Sequence, residues 1–205
     1  MTNHTVIRAT CLTRLSAQDA DSGHWHVIIE TPKGNRNKFT YDEELSLFRL
    51  GKVLPLGAVF PFDFGFVPST LAGDGDPLDA LVLMDAPAFP SCLVLVRWLG
   101  VIEAEQKEKN DWTRNDRLIA VAVDSHNHQE LSKLKDLSLS VLEEIEHFFT
   151  SYHALDKKRF RPLARRGPRQ AEKLIEEGMR HFLRQSPAAD GSLNGIREKA
   201  RGRSS

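Results

Sequence analysis

The stretch Asp74-Gly-Asp-Pro-Leu-Asp79 places three carboxylates within six residues, and the chain around it is organised accordingly. Acids packed this closely repel one another unless a cation sits among them. Hard divalent ions take oxygen ligands and cancel that repulsion. Gly75 permits a tight bend between the first two acids, and Pro77 stiffens the segment before Leu78. Leu78 and the apolar run Ala80-Leu-Val-Leu-Met84 read as the start of a buried strand, so the acids are expected at a rigid turn on a strand's edge. A generic acidic surface turn is the competing reading. An EF-hand loop is excluded, because Leu78 and Asp79 stand where its fifth position needs an oxygen ligand and its sixth a glycine.

Flanking blocks decide between these. Phe60-Pro-Phe-Asp-Phe-Gly-Phe-Val-Pro68 precedes the acids, with Glu30-Thr-Pro32 and Asn37-Lys38 upstream. Gly100-Val101, Leu118-Ile-Ala-Val121 and His147-Phe-Phe-x-x-Tyr152 follow downstream. In order and spacing these blocks resemble the soluble, Mg²⁺-dependent inorganic pyrophosphatases, whose signature is D-x-D-P-x-D. The resemblance runs from about Val27 to about Phe182.

Short apolar runs bounded by Gly, Pro, Asp or Asn predict strands at Val27–Ile29, Leu47–Leu50, Leu81–Met84, Cys92–Trp98 and Arg117–Val123. Glu103 to Asp116 reads as a long hairpin turn with Glu105 at its mouth. Val141, Leu142, Ile145, Phe148, Phe149 and Tyr152 recur at helical spacing, with Ser140 and Glu143 fitting a capping box. Ala171, Leu174, Ile175, Met179 and Phe182 repeat the pattern behind Pro168. Strands followed by terminal helices predict an α+β fold. The resemblance sharpens this to a five-stranded OB-like β-barrel with two packed C-terminal helices. One domain over residues 1–184 is expected, ordered only in part up to about residue 22, with a polar, disordered tail over 185–205.

Composition sets looser bounds. The 28 basic and 28 acidic side chains cancel, so no global field advertises a nucleic-acid or membrane partner. Cys11 and Cys92 read neither as a disulfide framework nor as a zinc site. No apolar stretch approaches the ~20 residues that span a bilayer, and a cytoplasmic setting is the default. His24-Trp-His26 and His126-Asn-His128 lack further ligands at zinc spacing. The basic run Lys157-Lys-Arg-Phe-Arg161 reads as a solvated face and electropositive rim, without the aromatic platform of a single-strand binder.

The resemblance implies hydrolysis of pyrophosphate with Mg²⁺, by a homo-oligomer that is often hexameric in bacteria. It places Asp74, Asp76 and Asp79 as metal ligands, with Asp76 also taking the proton of the attacking water. Glu30, Lys38, Lys52, Arg117 and Tyr152 fall on its substrate-binding positions. Several positions depart from the pattern. Gln106 stands where an acid is expected, with Glu105 beside it as an alternative ligand. Asn115 replaces a metal-binding aspartate, Lys52 an arginine and Arg117 a lysine. His153 replaces the lysine after the tyrosine, which predicts a pH-dependent contact. Phe60 and Phe64 stand for tyrosines, and Thr40 for a glutamate. These changes keep open a second reading: a divergent phosphohydrolase on another phosphoanhydride, or a weakly active metal- and phosphate-binding protein. A nucleic-acid-binding barrel is the third.

Overall fold

A computed structural model describes residues 11–185, and the tail expected from residue 185 lies outside them except for Gln185. Nine strands and two α-helices occur among the described residues. The strands are β1 (Trp25–Thr31), β2 (Asn37–Asp42), β3 (Leu47–Val53), β4 (Asp63–Val67), β5 (Leu78–Leu83), β6 (Leu93–Glu108), β7 (Asp111–Arg114), β8 (Arg117–Ala122) and β9 (Arg159–Arg166). The helices are α1 (Leu139–Ala154) and α2 (Pro168–Gln185).

The sheet closes on itself. β1 pairs β4, β4 pairs β5, β5 pairs β8, β8 pairs β6, and β6 returns to β1. This five-membered ring is the OB-like arrangement, with every pairing antiparallel except β5–β8. β6 extends beyond the ring and carries β7 and β9 on its free half, while β2 and β3 form a separate hairpin.

Each predicted strand is present, and four more were hidden. β4 sits within the aromatic Phe60–Pro68 block, whose glycine and prolines mask a strand; all five of its residues are buried. β2, β7 and β9 are polar or charged and owe their form to ladder partners rather than to local propensity. The Glu103–Asp116 segment is likewise paired strand, with Glu108 opposite Asp111. Ahead of β1, Cys11, Leu12 and Leu15 pack on Ile28, Tyr41 and Phe66, and Gln18 bridges Trp25.

Strand alternation divides the core in two. Val27, Ile29, Val82, Ala120 and Trp98 face α2 through Ala171 and Ile175. Leu81, Leu83, Ile119, Leu99 and Ile102 face α1 through Leu142, Ile145 and Phe149. The α1 cap differs from the expected box: Ser138 precedes the helix and its hydroxyl accepts the Val141 N–H, leaving Ser140 inside the first turn.

Gly65 lies where β4 passes between β1 and β5, and a side chain there would run into the Ile28 carbonyl. Gly65→Ala should therefore destabilise the protein by about 3 kcal/mol or more, read as a lower denaturant midpoint. A midpoint within error of the parent would show that β1 and β4 separate freely.

Candidate active site

The acid loop is fastened at its base. Thr70, fully buried, donates its hydroxyl to Val67 O (2.6 Å) and accepts the Leu78 N–H (3.0 Å), tying the two ends of the loop together. α2 presses on this tie: Gly178 O accepts the Leu71 N–H (3.0 Å), and the absent side chain at Gly178 makes room for Leu78 and Thr70. Within the loop, Ala72 N–H donates to Asp76 O (2.7 Å) and Gly75 adopts φ 95°, the left-handed conformation its lack of Cβ allows.

Above the loop opens a cleft of about 170 Å³, lined by Asp74, Asp76, Asp79, Lys38, Gln106, Asn115, Arg117, Tyr152, His153, Asp156 and Lys158, with Phe60, Phe64 and Phe149 as its apolar wall. Six elements or their connections supply these residues, separated by up to 120 positions in the chain. Most of the residues predicted for the site converge here. Asp74 and Asp76 are open to solvent on one side, yet desolvation by surrounding protein raises both above the usual carboxylate range, and neighbouring acids add to it. Asp79 is paired: Arg117 Nη1 lies 2.8 Å from its Oδ2.

Arg117 is buried, with its guanidinium stacked 4.7 Å above the Phe149 ring and bonded to Asn115 Oδ1 and Asp116 O. Its Nε has no protein partner. Asn115 thus serves as an acceptor that orients Arg117. Glu30 lies behind the cleft: buried, it accepts the Tyr41 N–H (2.8 Å) and stands 3.7 Å from Lys38 Nζ. Burial raises its pKa, with the Lys38 charge opposing. Lys52 sits at the rim, ion-paired with Asp156 and 4.3 Å above the Tyr152 ring.

Two expectations are corrected. Glu105 does not reach the cleft. Side chains alternate along β6, so Gln106 faces the site while Glu105 turns to Arg161 (2.7 Å), and Glu103 to Arg166 (3.1 Å). His153 does not provide a titrating contact near neutral pH. It is buried against Phe160 at 4.8 Å, and burial, followed by the charges of Arg117, Lys52 and Lys158, lowers its pKa to about 4. Asp156 and Lys158 also line the cleft, with no local sequence signal to mark them. They occupy the charged segment just past α1, where only the path of the chain shows which side chains turn inward.

The donor chemistry fits a hard divalent cation: Asp74 and Asp76 are neighbouring carboxylates lining one cleft, each raised chiefly by burial and further by the Asp79 charge. Among the described residues, no three His, Cys, Asp or Glu side chains converge on a single point as a closed ligand cage.

The inorganic pyrophosphatase family model matches residues 27–183. The chain belongs to the inorganic pyrophosphatase family. It is similar to the inorganic pyrophosphatase of Thermus thermophilus, with 38% identity over 152 residues, 74% of this chain and 85% of that one. The Synechocystis inorganic pyrophosphatase is 34% identical over 171 residues, covering 83% of this chain and 98% of that protein. Among solved structures, the Thermus thermophilus inorganic pyrophosphatase superposes with a TM-score of 0.77 at 32% identity, covering 84% of this chain and 99% of that one. The Coxiella burnetii inorganic pyrophosphatase gives 0.74 at 34% identity, covering 82% and 99%.

Thr70→Val would keep the shape of the tie and leave the buried Leu78 N–H unpaired, a loss of about 1–3 kcal/mol, whereas Thr70→Ser should keep most of the stability in a chemical melt. A second outcome concerns His153. The unfolded imidazole takes a proton near 6.5 and the folded one only near 4, so the unfolded state binds more protons in between. The corresponding stability is present above pH 6.5 and is lost as pH falls toward 4. His153→Leu should flatten that acid loss by on the order of 3 kcal/mol; melts of both proteins across this interval giving parallel curves would refute a neutral buried His153.

Proposed function

We infer that this family member hydrolyses inorganic pyrophosphate to two phosphates, using Mg²⁺ held by the acid loop. The observation that carries the reading is one cleft in which Asp74, Asp76 and Asp79 face Lys38, Arg117 and Lys158 beside a tyrosine hydroxyl. Such a cleft offers both carboxylates for a cation and cations for a phosphoanhydride.

Asp76 is the proposed general base. In the metal-free cleft, desolvation and the neighbouring Asp79 charge raise its pKa, with Lys38 and Lys158 opposing. It takes a proton from the attacking water as the water oxygen bonds to phosphorus and the bridging P–O bond breaks, releasing the second phosphate. A bound divalent cation supplies neutralisation of the phosphate oxygens and acidification of water. Tyr152 is held in its protonated form, its pKa raised by burial and then by Asp79 and Asp156, so it remains a hydrogen-bond donor to a phosphoryl oxygen. Lys38 lies on the cleft wall 5.1 Å above the Phe64 ring, anchored from behind by Glu30. Arg117 holds Asp79 and carries positive charge into the interior of the cleft.

The wider reading includes assembly of identical chains, which would cover Leu45, Leu47, Leu50, Val53 and Leu56, all exposed on or beside the β2–β3 hairpin. No helix among the described residues is long and apolar enough to cross a membrane. Cys11 and Cys92 are free thiols, which suits the reducing cytoplasm.

Phosphate release from pyrophosphate by the purified protein should require Mg²⁺ and stop on adding chelator. Asp76→Asn should retain the fold by circular dichroism and lose about 10²-fold or more in kcat. A folded Asp76→Asn protein with most of its turnover would remove Asp76 as the base, and absence of metal-dependent release from the parent would remove the function.

A further inference from the structure

We propose that Lys158 is a substrate-binding residue of this cleft, its ammonium contacting a phosphoryl oxygen of the anion bound there. The inference rests on the pyrophosphate reading of the site and adds a cation outside the family pattern described above. Its backbone position is fixed. At the end of α1 the Lys157 N–H donates to Ala154 O (3.0 Å) and the Lys158 N–H to His153 O (3.1 Å), while Lys157 takes a left-handed φ of 59°. This Schellman pattern turns the chain so that Lys158 lines the cleft.

The other cations of the site are already committed. Lys38 is backed by the buried Glu30, Lys52 is paired with Asp156, and Arg117 is locked between Asp79, Asn115 and the Phe149 ring. His153, at the position where a lysine is expected after the tyrosine, is neutral and buried. Lys158 is held differently. Its partner is Glu108 at 2.8 Å, a carboxylate whose side chain is 59% exposed and which does not line the cleft. An exposed pair of this kind is worth only about 0–1 kcal/mol, so a polyanion entering the cleft competes for Lys158 at little cost. Lys158 lines the same cleft as Asp74, Asp76 and Tyr152, so an anion bound among them meets its side chain. The positive charge missing at His153 is thereby restored five residues later, across the helix-ending turn.

The test uses full-length protein in Mg²⁺ buffer, with steady-state pyrophosphate hydrolysis and calorimetric binding of methylenediphosphonate, a non-hydrolysable analogue. Lys158→Met should raise KM about tenfold, as for one charge-assisted hydrogen bond, with kcat changed less than about threefold, and weaken methylenediphosphonate by a similar factor. Lys158→Arg should recover most of both, and Glu108→Gln, which frees Lys158, should hold or lower KM. Melting temperatures should stay together, since Lys158 lies at the surface. Unchanged KM and unchanged methylenediphosphonate affinity in Lys158→Met would overturn the proposal while leaving the pyrophosphatase reading intact. Lys158-dependent methylenediphosphonate binding without pyrophosphate turnover by the parent would do the reverse.

Discussion

The structure depends on one strand. β6 runs for sixteen residues and pairs with β1, β8, β7 and β9, so it both closes the ring and reaches past it. A strand that long must bend to serve two partners, and Gly100 is where it does. The ladder to β8 shifts between Trp98 and Gly100, and a side chain at Gly100 would strike the Arg166 carbonyl and Leu134. Closure brings β8, carrying Arg117, beside β5, carrying Asp79, in the only parallel pairing of the ring. The extension beyond the ring brings β9 under α1, and with it the aromatic support for Arg117.

The cleft is a set of charges held at fixed distances by apolar neighbours. Phe60, Phe64, Phe148, Phe149, Tyr152 and Phe160 form a continuous aromatic cluster, with ring centroids 5.1–6.5 Å apart. Such rings leave little freedom to the groups lying over them, and Lys38, Lys52 and Arg117 each stand over one. Phe60 and Phe64 pack against each other within this cluster, ring centroids 5.4 Å apart. Both are buried and form part of the cleft's apolar wall. Asn115 and Arg117 are understood together. The amide oxygen accepts from the guanidinium without adding a second negative charge beside Asp79, so the pair directs Arg117 toward the acid loop.

The second face of β6 explains why acids near the site do not all belong to it. Glu103 and Glu105 share a face with Arg161, Arg166 and Arg114, and their ion pairs stitch β6 to β9 and β7. Asp116 likewise serves the hairpin, accepting the Ala104 N–H and the Arg114 guanidinium. Neighbouring carboxylates along this strand therefore have unlike roles, according to which side of the sheet they occupy.

The sequence by itself determined the acid loop, the tightness of its turn, the two apolar stripes that become α1 and α2, and the family, because each is written in local spacing: D-x-D-P-x-D, a glycine between acids, period 3.6 in the helices. It also carried Lys38, Arg117 and Tyr152, whose registers follow from those blocks. Only the tertiary structure decided that Glu105 faces away while Gln106 faces in, that His153 is buried and neutral, that Lys52 is tied to Asp156, and that Lys158 enters the cleft. β2, β7 and β9 belong to the same class, being polar strands held by partners rather than by their own residues. The physical reason is common to them. Which way a side chain points, and what surrounds it, depends on hydrogen bonds and packing with segments tens of residues distant, and no local pattern encodes those partners.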